Sequence, residues 1–471
     1  MPLNRADTKN DVAGKEDDPG IQRLRGAQGV AIDGPVRNWI DRPTKAAALR
    51  IGARLRNNTD NSNGMSASRP KVLFFAEGAT LAHVTRPWVL AGSLDPAQFD
   101  VTLARPRAFQ WLTADATCNI VELECQDATA FARRLDRGMP LYDYPTLAGY
   151  VATDLALIDS IKPNVIVGDF RLSLSVSARL RSVPFITICD AYWSPERPLH
   201  APLPVLGFTR LMPIPLAEWV FRRVSGPAFR LHARPLERLR KHHGLPSLGF
   251  DLRRVYTDAD RRLFANFPAL FPEIRTSPAA RFIGPITWSP QPQAQRPFVD
   301  GDEPLAYVTM GSSGDTRVLA TIIPALEKSG FQVAVASAGR AIPPHLDSVR
   351  TRIFDYLPGA LVCQRASLVV CNGGSPTTNQ ALSCGVPVLG IARNMDQFLN
   401  MQAIEAYGAG IMIRADRASR AATLNAVKRL RTESSFTNRA RLLAQTLKTA
   451  TLGKLLADQL AGFLPSNWQG I

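Results

Sequence analysis

Twice along this chain, short apolar runs rich in β-branched and aromatic residues alternate with stretches of helical period, and a Pro/Gln-rich stretch separates the two series. The first series is "VLFFA", "FDVTLA", "NIVEL", "NVIVGD" and "PFITIC"; the second is "LAYVTM", "FQVAVAS", "TRIFD", "SLVVC" and "PVLGI". Strands that alternate with helices are joined by crossovers, so they run parallel in a doubly wound sheet. The chain of 471 residues is longer than one hydrophobic core usually serves. The pattern therefore predicts two Rossmann-like α/β domains, 71–290 and 304–450, with the linker 291–303 inside "WSPQPQAQRPFVDGDEP". The remaining residues, 451–471, carry a final amphipathic helix in "TLGKLLADQLAGFL", placed to pack back on the first domain. Ligands of open parallel sheets bind beyond the carboxyl ends of the strands, so two such sheets would share a cleft fed by loops from both.

Two segments break this rhythm. Residues 1–70 hold one aromatic residue, Trp39, among many Asp, Asn, Gly and Arg, and are expected to be a disordered extension. Within them, "TKAAALRIGARLR" could form a short basic helix, and Met65 opens "MSASRPKVLFFAEG" like a second start. Whether residues 1–64 belong to the native protein is open at this level. Residues 195–250 mix Pro, Arg and large apolar residues and predict irregular helices over one side of the first sheet. Large apolar residues alternating with Arg there also allow peripheral contact with an anionic membrane.

Composition excludes several classes. No apolar run is long enough to span a bilayer, and the charged N-terminus lacks the apolar core of a signal peptide, so a cytoplasmic protein is expected. None of the six cysteines forms a CxxC pair, which favours buried reduced thiols over a zinc site or a disulfide framework. The net charge of +16 suits anionic partners, but the excess is scattered Arg without basic-aromatic tracts, so nucleic acid is not expected as a partner.

Three loops at strand ends in the second half could carry chemistry. "VTMGSSGDT" places Gly311, Ser312, Ser313 and Gly314 between a strand and a helix. "VVCNGGSPTTNQAL" ends a buried strand at Asn372, Gly373 and Gly374 and opens a helix on Ser375, Pro376, Thr377 and Thr378. Glycines let backbone N–H groups approach a ligand, and a helix start adds unpaired N–H groups and a positive dipole end, which together make an anion site. No Lys follows the glycines, so neither is a Walker loop. "IFDYLPG" is the third, ending at Tyr356 and Leu357. Downstream, Asp396 and Gln397 open a helix after a short strand; they serve either as a helix cap or as partners for ligand hydroxyls.

The run "NGGSPTTNQALSCGVPVLGIARNMDQFLN" resembles the C-terminal half of family-one glycosyltransferases, which have the GT-B fold. That family shows a glycine loop after a strand, then Gly-Val-Pro, then Asp-Gln. The resemblance implies a nucleotide-diphosphate sugar as donor and no other cofactor. It places Gly373, Gly374, Thr377 and Thr378 at the donor diphosphate, with Ser312 and Ser313 opposite. It places Tyr356 on the nucleotide base, with Leu357 beside it, and Asp396 and Gln397 on the sugar hydroxyls. Asn372 stands where the family usually has His, and an amide brings no positive charge. Gln380 aligns with the family's ribose-binding Glu, leaving UDP against dTDP open, while retention of Asp-Gln favours a hydroxyl-rich hexose over a deoxysugar, so UDP-hexose is expected.

The first half must supply the acceptor pocket and a base. Of six histidines, His83 alone falls between the first strand and the first helix, in "HVTRP", and the family's base lies in a like pattern. Asp169, ending the strand "NVIVGD", aligns with the carboxylate that orients it; Asp190, one strand further, competes, and either could merely cap a helix. Asp258 and Asp260 in "YTDADRRL" read as a turn, so no metal is expected. The resemblance thus implies an inverting, metal-independent hexosyltransferase acting on a small, apolar or lipid-like acceptor. The alternatives are a nucleotide-sugar 2-epimerase-like isomerase, or a non-catalytic relative that binds a sugar nucleotide or a membrane.

Overall fold

The computed structural model describes residues 69–198, 200–290, 303–311, 313–447, 451–464 and 468. Most of the N-terminal extension, with its basic helix and Met65, lies outside the described residues, as do 291–302 of the linker and Ser312.

The first sheet holds β1 (Lys71–Ala76), β2 (Asp100–Arg105), β3 (Asn119–Glu122), β4 (Val165–Asp169), β5 (Phe185–Cys189), β6 (Arg261–Phe264) and β7 (Ala280–Phe282). Its order is β3-β2-β1-β4-β5-β6-β7, parallel throughout. The second holds β8 (Leu305–Thr309), β9 (Gln332–Ala336), β10 (Thr351–Phe354), β11 (Ala366–Cys371), β12 (Val388–Ala392) and β13 (Gly410–Arg414). It runs β10-β9-β8-β11-β12-β13, again parallel. Strands β4, β5, β8 and β12 are buried at every position. That is why they read as unbroken apolar runs: crossover helices cover both faces.

Five helices bear on the site: α1 (Leu81–Ser93), α2 (Ile214–His242), α3 (Ser375–Ser383), α4 (Met395–Tyr407) and α5 (Leu452–Leu460). Chain order reverses between β1 and β4 in one sheet and between β8 and β11 in the other. The register pairs Ala76 with Asp169 and Thr309 with Cys371, so each pair of strands ends level. Asp169 ends β4 itself, His83 sits in the first turn of the helix that follows β1, and Gly311, Ser313 and Gly314 follow β8 as Asn372, Gly373 and Gly374 follow β11. These residues thus gather at the topological switch point of each sheet, where a parallel sheet opens a crevice.

Leu456 and Leu460 of α5 are fully buried in the core of the first domain, beside Val72, Phe74 and Leu90. The chain therefore returns from the second domain to clasp the first. Each fully buried leucine contributes about 1.5–3 kcal/mol to that clasp.

Three strands were not expected from sequence. β6 is "RRLF" and β7 is "ARF", too short and too basic to stand out, and β13 is "GIMIR". The irregular helices expected over 195–250 are instead dominated by one helix of 29 residues, α2, which runs through Pro227 and Pro235. Each proline deprives the carbonyl four residues earlier of its donor. Those carbonyls belong to Arg223 and Leu231, both exposed residues, so water can serve them and the helix continues.

Candidate active site

His83 occupies the first turn of α1, and Asp169 is the last residue of β4. His83 Nδ1 lies 2.8 Å from Asp169 Oδ1. With the carboxylate accepting, Nδ1 carries the proton and Nε2 keeps its lone pair. Pro87, inside α1, has no N–H for the His83 carbonyl four residues back, which loosens the helix at that residue. Phe170 follows Asp169 at a φ of +56°, an uncommon conformation for a residue with a side chain. Its ring stacks on the imidazole, with centroids 4.7 Å apart and planes 12° from parallel. The imidazole is thus held on its edge by a carboxylate and on its face by a ring.

Arg86, one turn along α1, is buried and was not anticipated from sequence. Its Nε donates to Asp169 Oδ2 at 2.7 Å, Nη2 to Asp169 Oδ1 at 2.9 Å, and Nη1 to Asp190 Oδ2 at 2.9 Å. Asn266 Nδ2 donates to the other Asp190 oxygen at 3.1 Å. Asp169, not its competitor Asp190, therefore touches the imidazole, and Asp190 stands behind the guanidinium. Burial alone would push the Asp169 carboxyl up, but the charges and hydrogen bonds of Arg86 and His83 outweigh it and hold it below the ordinary carboxylate range. The signal for Arg86 was its spacing: three residues after His83 places it on the same helix face.

A second buried arginine braces the loops behind. Arg171 donates to Glu77 Oε2 at 3.0 Å and to Asp154 Oδ1 at 3.1 Å, and its guanidinium lies 3.5 Å from the Tyr150 ring centroid. Glu77 follows β1 and Arg171 follows β4, so this network ties together the two loops that position His83 and Asp169. From Phe170 a chain of rings continues to Tyr256, 5.1 Å away between centroids, and then to Trp193 at 5.0 Å. Trp193 Nε1 donates to Asp396 Oδ1 at 2.7 Å, linking the aromatic wall of the first domain to the second.

On the facing side, the two glycine turns interlock. Asn372 Oδ1 accepts from Gly374 N at 3.1 Å, and Asn372 Nδ2 donates to Ser313 Oγ at 3.3 Å. Gly314 permits this approach: a Cβ there would stand 2.4 Å from the Met310 carbonyl oxygen and 2.8 Å from Asn372 Cβ. Gly373 has a φ of +82°, and a Cβ on it would stand 2.6 Å from Met401 of α4. Gln397 Nε2 also donates to Ser313 Oγ at 3.3 Å. With both lone pairs of an exposed hydroxyl taken, the Ser313 O–H is left to donate to a ligand. The first turn of α3 has no side-chain cap, and Thr377 lies half-buried on it. That turn brings backbone N–H groups without intrahelical acceptors toward the same place.

The remaining sequence candidates separate. Tyr356 is half exposed, with its ring centroid 6.5 Å from that of Trp111 in the first domain, while Leu357 is buried beneath it. Thr378 is turned inward: its hydroxyl donates to the Gly374 carbonyl at 3.2 Å and accepts from Asn400 Nδ2 at 2.8 Å. Gln380 Nε2 donates to Ser289 Oγ at 3.0 Å, so this amide is occupied by the segment entering the linker. Gln397 completes a capping box: its Oε1 accepts from Arg393 N at 2.8 Å and Asn394 N at 3.3 Å. Burial pushes the Asp396 carboxyl up despite the hydrogen bonds of Trp193 and its own backbone N–H. Asp258 joins Arg179 and Arg240, and Asp260 accepts from Phe185 N, so that pair is structural.

The arrangement sets an imidazole on a buried carboxylate, an aromatic wall beside it, and, in the second domain, two interlocked glycine turns next to the uncapped first turn of α3. The Erythromycin biosynthesis protein CIII-like C-terminal domain family matches residues 333–455. A PGL/p-HBAD biosynthesis glycosyltransferase from Mycobacterium tuberculosis is 41% identical over 383 residues, covering 80% of this chain and 89% of the relative. A PGL/p-HBAD biosynthesis rhamnosyltransferase from Mycobacterium bovis is 38% identical over 415 residues, covering 87% and 92%. The solved structure of spinosyn rhamnosyltransferase SpnG complexed with thymidine diphosphate superimposes with a TM-score of 0.58 at 16% identity, covering 83% of this chain and 99% of that one. The expected likeness to family-one glycosyltransferases therefore holds in sequence and in fold. Two parallel α/β sheets, their switch-point loops and close relatives along most of the chain lead to one identity: this protein belongs to the GT-B glycosyltransferases, in the family of the PGL/p-HBAD biosynthesis enzymes.

Proposed function

We propose that the enzyme transfers a deoxyhexose from a dTDP-sugar to a hydroxyl of an apolar, aromatic or lipid-like acceptor, with inversion at the anomeric carbon. His83 Nε2 takes the hydroxyl proton as the oxygen attacks, and the diphosphate leaves from the opposite face with the bonding electrons. Asp169 keeps the proton on Nδ1 and, with Asp190 behind Arg86, stabilises the imidazolium that forms. The observation that carries this is the His83–Asp169 contact of 2.8 Å at the switch point of the first sheet. The first turn of α3, Thr377 and the Ser313 hydroxyl supply hydrogen bonds and a dipole for the leaving diphosphate, a role a metal ion plays elsewhere. That supports metal-independent transfer.

The donor reading departs from the hydroxyl-rich UDP-hexose that the Asp-Gln pair suggested. Asp396 Oδ1 is taken by Trp193, and both ends of the Gln397 amide are engaged within the protein. A sugar lacking a hydroxyl asks less of this pair. The rhamnosyltransferase relative and the thymidine diphosphate bound by SpnG support the same choice. The ring wall of Phe170, Tyr256 and Trp193 beside His83 supports an apolar acceptor. The glycosyltransferase relatives along most of the chain weigh against an isomerase.

The test is turnover of an α-linked nucleotide donor panel with phenolic and lipid alcohols, followed by NMR of the product's anomeric proton. A β-linked product, released only when acceptor is present and fastest with dTDP-deoxyhexoses, is expected. A retained anomer would exclude single-displacement chemistry at His83, and a preference for UDP-hexoses would overturn the donor assignment.

A further inference from the structure

Among the described residues, helix α2 leaves one face uncovered. Its other face is buried: Ala217 and Phe221 pack with Leu203 of the preceding segment and Met395 of the second domain, and Ala233 and Leu236 join the larger core. On the open face, Leu216, Trp219, Val224 and Leu231 are each between 48% and 53% exposed. Arg223 and Arg230 stand among them, also exposed, and the Arg223 guanidinium lies 3.6 Å from the Trp219 ring centroid. Positions 216, 219, 223, 224, 230 and 231 follow helical spacing, so apolar and basic groups share a single stripe. Neither acid of the helix adds opposing charge there: Glu218 pairs with Arg222, and Glu237 is buried, accepting from Phe250 N at 2.8 Å.

An exposed apolar stripe laced with arginine and free of acid suits one kind of surface, in which side chains enter acyl chains while guanidinium groups meet phosphates. A basic chain with a net charge of +16 adds long-range attraction to the same surface. We infer that the exposed face of α2 docks this enzyme onto an anionic lipid bilayer.

The position of the helix gives the docking a use. The segment leading into α2 is pinned to the second domain: Val205 N donates to the Arg393 carbonyl at 2.8 Å, and Arg414 Nη1 to the Leu203 carbonyl at 2.6 Å. Thr209 Oγ1 adds a bond of 3.0 Å to Asp416 Oδ2. A bilayer bound along α2 would therefore lie beside the segment that bridges the cleft. Among the described residues no helix is long and apolar enough to cross a membrane, so the contact is peripheral. The inference rests on the α2 surface alone and stands whichever sugar or acceptor the site takes.

Co-sedimentation of the full chain with phosphatidylglycerol–phosphatidylcholine vesicles at low salt tests it, with pure phosphatidylcholine vesicles as the neutral comparison. Wild type should pellet with the anionic vesicles, much less with the neutral ones, and be released by salt. Each arginine held at an anionic surface strengthens binding about fivefold, so Arg223→Glu with Arg230→Glu should weaken it on the order of a hundredfold or more. Leu216→Ser with Trp219→Ser should weaken binding on both compositions. All four positions are exposed, so turnover of a water-soluble acceptor should stay at the wild-type level, which verifies folding. Absence of wild-type binding to anionic vesicles overturns the proposal. So does undiminished binding by both double variants, which would put the contact elsewhere on the chain. A wild-type dimer that Leu216→Ser with Trp219→Ser splits, with no vesicle binding, would assign the face to a second copy instead.

Discussion

Arg86 grips Asp169 with two nitrogens, Nε on Oδ2 at 2.7 Å and Nη2 on Oδ1 at 2.9 Å, and its third nitrogen holds Asp190. His83, the proposed proton acceptor, therefore leans on a carboxylate whose charge and direction are set by a residue one helical turn away. Removing the guanidinium would leave two carboxylates facing each other without a counter-ion. Breaking a buried pair in this way costs about 3–5 kcal/mol. Arg86→Met should lose stability on that order in denaturant titrations, and Arg86→Lys less, because an ammonium cannot bridge both acids as a planar fork does.

The pH dependence follows from the same contact. Asp169 is held below the ordinary carboxylate range, so its contribution to stability is complete above the unfolded value of about 3.9. It is lost only as pH falls through the lower folded value. Without Arg86, burial would raise the folded value of Asp169, so the folded chain would take up that proton more readily and the fall of Tm toward acid pH should be shallower in Arg86→Met than in wild type. An acid limb in Arg86→Met that coincides with wild type would mean that Arg86 does not set the state of Asp169.

Trp193→Phe keeps the ring but removes the N–H that occupies Asp396 Oδ1. A neutral hydrogen bond is worth about 0.5–1.5 kcal/mol and one to a charged group about 1.5–3 kcal/mol. Freed, that oxygen can accept from a sugar hydroxyl. The ratio of kcat/KM for a hexose donor to that for the matching deoxyhexose should rise by roughly tenfold. Competition assays with paired donors measure the ratio directly, and an unchanged value would show that Trp193 does not restrict the sugar.

Asn372 joins the two glycine turns through Ser313 and Gly374. Asn372→Ala removes both bonds and lets the cradle loosen, with the base untouched. Weaker binding of dTDP by roughly tenfold is expected from calorimetry. Asn372→His, which restores the family's usual residue, should keep more of the affinity than Ala. Equal dTDP affinity in wild type and Asn372→Ala would mean that the diphosphate does not rest on these turns.

Much of this architecture was legible in the chain because parallel strands covered on both faces leave unbroken apolar runs, and ten of those runs are strands in the structure. His83 and Asp169 could be found because each ends a pattern, a strand followed by a polar residue at a helix start. β6 and β7 escaped because "RRLF" and "ARF" are short and carry arginine, which ordinarily marks a solvated surface. Arg86 escaped for the same reason: a charged residue is buried only when its partners are, and those partners lie 83 and 104 residues away. The Trp193–Asp396 bond spans 203 residues and two domains, a separation no local pattern records. Pro227 and Pro235 misdirected the reading of α2 because their cost depends on whether the orphaned carbonyls can reach water, which only the folded helix reveals.

His83 as the base is tested most directly by comparing His83→Ala with wild type on two acceptors. One is an aliphatic alcohol, whose proton must be removed; the other is a nitrophenol, largely ionised before it binds. General-base assistance is worth roughly 10²–10⁴-fold. His83→Ala should lose that much turnover on the alcohol, keep its affinity for dTDP, and recover a large part of the loss on the nitrophenol. The losses of His83→Ala and Asp169→Asn should not add, because both residues serve one proton transfer. A variant that retains its maximal rate on the alcohol while losing donor affinity would contradict the mechanism and make His83 a binding residue.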